Sequence, residues 1–257
     1  MSDLQTALRH PLRSFGAAMS FLYVFPGFIN RGEEEDYFGS ALYYFTAVGF
    51  VLGCCAAFCG VILQSAASPL VTAVALAIIL SALSGFLHLD GLADTADGFL
   101  SARNREQSLE IMKDSRIGVM GAAALAAVLL LKSAALFSIG PQDLTGALIC
   151  AAAAGRTAIV IPIYFLPYAR AEGGLGQLFR VDHNGYLVPL ISAALLILIV
   201  VVMLPAKLLI FVSIFLLLII VFSAWSVRKI GGFTGDTLGC LCELMETALL
   251  LGVGLNF

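Results

Sequence analysis

The residues with the most chemical content form one short run, HLDGLADTADG, from His88 to Gly98. On a helix turning 100° per residue, Asp90, Asp94 and Asp97 fall within an arc of about 60° on one face. Three carboxylates converging there repel one another, and near a membrane an uncompensated anion is costly, so the pattern calls for a counter-cation. Oxygen ligands alone suit a hard ion, Mg²⁺ or alternatively Mn²⁺, with a substrate phosphate filling the remaining positions. Gly91, Ala93, Ala96 and Gly98 leave the backbone unobstructed, so a bulky phosphate can approach. The competing reading is a solvated helix end whose acids pair with arginines, but no long cation interleaves with these acids. His88 falls on the opposite helical face, where packing is its expected job.

Three further motifs carry charge. In MKDSRIG, Met112 to Gly118, Asp114 offers another metal ligand, while Lys113 and Arg116 can hold phosphate oxygens, Arg by a two-pronged contact and Lys as a point charge. Plain anchoring of the membrane edge by these cations is the alternative. In YARAEGGLG, Tyr168 to Gly176, the glycines can present N–H groups to an anion, with Arg170 and the later Arg180 supplying charge. Asp182, His183 and Asn184 follow, and a lone loop histidine such as His183 is expected at the surface. GGFTGDTLG, Gly231 to Gly239, leads to Glu243 and Glu246. Asp236 and Glu243 share a helical face, either completing a second cation site or binding polar substrate groups, unless they pair locally with Arg228 or Lys229.

The elements that must position these residues are membrane helices. Of 257 residues, 60% are hydrophobic and only 12% charged, against roughly 25% charged in an ordinary soluble domain. Mean hydropathy is +1.00. The sequence predicts an all-α polytopic bundle forming one domain over 1–257, with six long apolar spans. They run Ala41–Leu63, Leu70–Leu87, Val119–Ile139, Leu144–Leu166, Leu187–Leu204 and Leu208–Trp225. A weaker seventh, Leu244–Leu255, is either re-entrant or starts earlier and carries Glu243 and Glu246 into the membrane. Leu12–Phe28 is short and contains Pro26, which suits an interfacial or re-entrant helix within an N-terminal segment 1–40. No A-x-A-like cleavage site follows Pro26, so this segment is expected to stay.

Eleven cations lie in 1–40, 88–118, 167–186 and 226–243, whereas Lys207 alone lies in the connections on the other side. By the positive-inside rule, the acidic motifs face the cytoplasm from the inner membrane of a bacterium. The remaining cations, Lys132 and Arg156, fall inside spans. Lys132 is expected to snorkel outward, whereas Arg156 needs a partner, either the aspartates or a substrate phosphate, with a purely structural buried pair as the alternative. The net charge of −3 gives no general basic surface for nucleic acid. Cys54, Cys55, Cys59 and Cys150 sit in apolar runs, and Cys240 and Cys242 lack the companions a zinc site needs, so neither disulfides nor zinc are expected.

HLDGLADTADG, MKDSRIG, YARAEGGLG and GGFTGDTLG, in this order and separated by apolar spans over residues 85–257, resemble the adenosylcobinamide-GDP ribazoletransferase (cobalamin synthase) family. The resemblance implies that adenosylcobinamide-GDP and α-ribazole, or its 5′-phosphate, are joined into adenosylcobalamin, or its phosphate, with release of GMP. That chemistry fits the reading of the residues, on which we assign Asp90 and Asp94 to Mg²⁺, Asp97 to metal or general base, and Arg116 and Arg156 to phosphate. The resemblance also allows a homo-oligomer and association with other corrinoid-pathway enzymes. Two other readings share parts of the pattern. CDP-alcohol phosphotransferases carry D-x-x-D-G-x-x-A-R, but Asp94 stands after Ala93 where that pattern wants Arg. A cation transporter would spread its acids at mid-bilayer on broken helices, whereas these gather at one face.

Overall fold

The computed structural model describes residues 3–22, 37–170 and 186–255. Within them the chain forms α1 (Asp3–Arg9), α2 (Pro11–Leu22), α3 (Phe38–Ala41), α4 (Phe45–Ala66), α5 (Pro69–Ala82), α6 (Leu87–Leu100) and α7 (Arg105–Ile111). There follow α8 (Val119–Ser138), α9 (Pro141–Phe165), α10 (Leu187–Met203), α11 (Leu208–Ile230) and α12 (Gly235–Gly254). Local signals set many of the ends. Ser68 caps α5 through Val71 N with Pro69 in its first turn, and Thr234 with Thr237 forms a reciprocal cap on α12. Gly231, with φ of 81°, closes α11.

Five helices are long and apolar enough to cross a membrane: Phe38–Ala66, Val119–Ser138, Pro141–Phe165, Pro205–Ile230 and Gly235–Gly254. The protein is therefore an all-α, multi-pass membrane bundle. α5 and α6 together form either a sixth, broken span or a re-entrant loop, bent by 87°, and α10 is a shorter apolar helix of 17 residues. α9 is buried along almost its whole length and packs against α4 and α12, while α11 turns Leu209, Leu216, Leu217 and Ile220 outward. That apolar face suits lipid contact, since lipid tails are the solvent of a spanning helix.

Two expected boundaries shift. The span expected over Leu70–Leu87 stops at Ala82, because Gly85 (φ 61°) and Phe86 (φ 59°) adopt the left-handed conformation, which a right-handed helix cannot continue. The weak seventh segment is a full 20-residue helix starting at Gly235, so Glu243 and Glu246 do enter the span.

Long-range contacts define two ends. At one, Lys207 Nζ donates to Leu255 O at 3.0 Å, and a cavity of about 240 Å³ joins Gln64 and Pro69 to Phe137 and Pro141. At the other, Arg105 donates to Ile230 O at 2.7 Å and Ala169 O at 2.8 Å, and Lys229 Nζ donates to Ser101 O at 2.8 Å. All four charged motifs start or finish at this second end.

Candidate active site

The 87° bend aims α6 across α12. A Cβ on Gly91 would lie 2.7 Å from Asp236 O, so only glycine permits this crossing distance, and it brings Asp236 beside Asp90 and Asp94. Asp94 lies within electrostatic reach of Asp90, Asp97, Asp236 and Arg170. Four carboxylates therefore face one guanidinium.

The four acids are held differently. Asp97 accepts from Gly118 N at 2.7 Å and Gly121 N at 2.8 Å, so it caps the N-terminus of α8. A Cβ at Gly118 or Gly121 would come within 2.5 Å of that carboxylate, which explains both glycines. Asp236 accepts from Arg170 Nη2 at 2.6 Å and from Thr234 Oγ1 at 3.3 Å. Among the described residues, neither Asp90 nor Asp94 receives a hydrogen bond or ion pair; Asp90 is exposed and Asp94 half-buried.

A backbone contact brings the third and fourth motifs together. Ala169 N donates to Phe233 O at 2.8 Å and Phe233 N to Pro167 O at 3.0 Å, forming a parallel bridge at Tyr168 and Phe233. Arg170 is thereby delivered to Asp236, four residues after the Gly231–Gly232 turn.

The second motif touches the cluster through Gly118, but its charged pair is turned to itself. Asp114 and Arg116, expected on metal and on phosphate, hold each other: Arg116 Nη2 donates to Asp114 Oδ2 at 2.6 Å, and Arg116 N and Nε donate to Oδ1 at 3.0 Å. Those hydrogen bonds hold the Asp114 carboxyl down at about 2. Lys113 is exposed and lines a groove of about 480 Å³ with Arg105, Glu106, Glu110 and Arg170. Arg180, Asp182, His183, Asn184 and the glycines from 173 to 176 lie outside the described residues.

The charges inside the spans overturn two expectations. Lys132 does not snorkel: its Nζ donates to Glu243 Oε2 and Glu246 Oε2, both at 2.6 Å, and it is fully buried. Arg156 does not turn to the aspartates, since its Nη1 donates to Glu246 Oε1, with Glu243 held one turn away by Lys132. Glu243, expected to bind substrate, is committed to that pair. Each of the four side chains is at most 1% exposed. The reason is electrostatic: two cations and two carboxylates cancel in a medium where a lone charge costs several kcal/mol, roughly. His88 packs buried beside this group, within reach of Arg156, Glu246 and Lys132. Counting span charges in the sequence, two of each sign with the acids three apart on one helix, is the signal that points to this network.

Among the described residues no three His, Cys, Asp or Glu side chains close around a single metal position. The residues present nevertheless fit Mg²⁺, which is usually held by one or two carboxylates with waters and substrate phosphates completing the shell. Asp90 and Asp94 are the unengaged carboxylates that such a shell would use.

The fold and this site define a multi-pass membrane protein with a cluster of four carboxylates and one arginine where α6 crosses α12. A family model described as cobalamin-5-phosphate synthase matches residues 14–254, nearly the whole chain. Proteins named adenosylcobinamide-GDP ribazoletransferase are similar throughout. The one from Desulforamulus reducens is 40% identical over 91% of this chain and 93% of its own length. That from Roseiflexus sp. (strain RS-1) is 39% identical over 96% and 91%, and that from Chlorobaculum parvum 38% over 85% and 87%. The chain belongs to the cobalamin-5-phosphate synthase family and is a transferase of cobalamin synthesis. No solved structure matches it.

Proposed function

We propose that the protein joins adenosylcobinamide-GDP to α-ribazole, or to its 5′-phosphate, releasing GMP. The observation that carries this reading is the crossing of α6 and α12, where Asp90 and Asp94 stand unengaged beside the Arg170–Asp236 pair. A diphosphate ester needs cationic charge, and here the acids outnumber the one adjacent cation, so a divalent ion must accompany the substrate. Asp90 and Asp94 would hold Mg²⁺ or Mn²⁺, which neutralises the diphosphate as charge builds on the leaving phosphate.

The chain's own groups then orient the reactants. A ribazole hydroxyl attacks the phosphorus bonded to the cobinamide, its P–O bond forming as the bridging P–O bond to GMP breaks. The hydroxyl proton passes to the half-buried Asp94, which the neighbouring carboxylates crowd. Arg170 holds phosphate oxygens and Asp236 holds Arg170. Asp97 fixes the start of α8, and with it the position of α6. Arg116 and Asp114 neutralise each other outside the pocket, and Arg156 with Glu243 belongs to the buried network.

The eleven cations that the sequence places in the same segments as the acidic motifs support a cytoplasmic site in an inner membrane. On a cysteine-free background, a cysteine at 104 should label only from the cytoplasm and one at 142 only from outside. External labelling at 104 would reverse the orientation. The activity itself is tested by following GMP release from adenosylcobinamide-GDP with α-ribazole and Mg²⁺ in purified protein. Absence of GMP under conditions where the protein is folded would overturn the reading.

A further inference from the structure

We propose that the groove beside α7 binds the guanosine nucleotide half of the substrate and reads the base as guanine. This rests on the reading above, in which a guanosine nucleotide is the leaving group, and assigns that half a place. Lys113, Arg170, Arg105, Glu106, Glu110 and Leu109 line a groove of about 480 Å³, within the size range of small-molecule sites. One end is joined to the acidic pocket, because Arg170 lines the groove and also donates to Asp236 at 2.6 Å. A nucleotide lying here therefore points its phosphate at the reacting centre.

The charges along the groove are sorted. Arg105 is fixed by its bonds to Ile230 O and Ala169 O, so it lays immobile positive charge along one wall. Lys113 is exposed and, among the described residues, has no ion-pair partner, so its ammonium can follow a phosphate. Glu106, Leu109 and Glu110 recur at three- to four-residue spacing on α7, which puts them on one face, and Lys113 follows just past the helix end. Glu110 likewise has no partner among the described residues, whereas Glu106 approaches Arg105 at 3.7 Å. Two carboxylates are a poor lining for a bare phosphate, and their presence needs a different ligand group. An ionised carboxylate only accepts hydrogen bonds. Guanine offers two adjacent donors, N1–H and the 2-amino group, on one edge; adenine presents an acceptor at N1, and hypoxanthine lacks the amino group. Leu109 supplies an apolar surface for the ring.

The test is equilibrium binding of GMP, IMP and AMP to the full-length protein in lipid nanodiscs, read without turnover. GMP should bind at least about tenfold more tightly than AMP, with IMP between, as expected for a two-pronged base contact. Glu106→Gln with Glu110→Gln should erase that preference while leaving the KM for α-ribazole unchanged. Lys113→Ala should weaken all three nucleotides alike. Equal binding of GMP and AMP by the wild type, or a double variant that keeps the guanine preference, overturns the proposal. Either result accompanied by normal GMP release would leave the transferase reading standing, whereas absent GMP release with guanine-selective binding would do the reverse.

Discussion

Helix α12 carries two sets of acids less than three turns apart, and they have opposite fates. Glu243 and Glu246 lie deep in the bundle and are matched by Lys132 and Arg156. Asp236 lies at the helix start beside Asp90 and Asp94, where one arginine faces four carboxylates. Inside a membrane a charge survives only when cancelled, so the deep set is neutral and has nothing left to offer a ligand. At the membrane edge water tolerates the excess, and the unmatched carboxylates are the ones free to bind. The surplus of charge, more than its presence, distinguishes the proposed site from the buried network.

Substitutions at the two sets should separate activity from stability. Asp94→Asn should cut GMP release by at least about 100-fold, about 2.7 kcal/mol of barrier, at unchanged membrane abundance. A comparable loss of folded protein would mean that Asp94 serves packing. Lys132→Met should do the reverse, destabilising the fold by about 3–5 kcal/mol because two buried carboxylates then share one guanidinium. Adding Glu243→Gln should recover much of that loss in a thermal-unfolding assay, since it restores neutrality. Failure of the second change to rescue would show that the pair is not coupled.

A smaller effect is expected at Arg156. Arg156→Lys keeps the charge opposite Glu246, and the rate per folded molecule should stay within about threefold of wild type, under 1 kcal/mol. A large fall in rate without loss of fold would restore Arg156 to the phosphate. The smallest effect belongs to Arg116→Ala: an exposed pair with Asp114 should change turnover by less than about twofold. A strong loss there would move the second motif into the pocket.

Much of this was readable from residues alone. The 60% hydrophobic composition and the apolar runs gave the class of fold, and the spacing of Asp90, Asp94 and Asp97 gave the acidic face of α6. The bend at Gly85 and Phe86 was not readable, because Phe86 has no sequence preference for a left-handed conformation. Nor was the capping of α8 by Asp97, which depends on two glycines more than 20 residues away. Arg156 and Lys132 looked like separate problems in sequence. Only the packing of α8, α9 and α12 makes them partners of the same glutamate.

The most direct test of the account is the metal dependence of GMP release from adenosylcobinamide-GDP and α-ribazole. With wild-type protein, EDTA should abolish release and added Mg²⁺ should restore it in full, while Asp90→Asn should raise the Mg²⁺ concentration needed for half-maximal rate by about 10-fold or more. GMP release that persists in EDTA, or an Asp90→Asn variant with wild-type Mg²⁺ dependence, would contradict the assignment of the unmatched aspartates to a metal-assisted transfer.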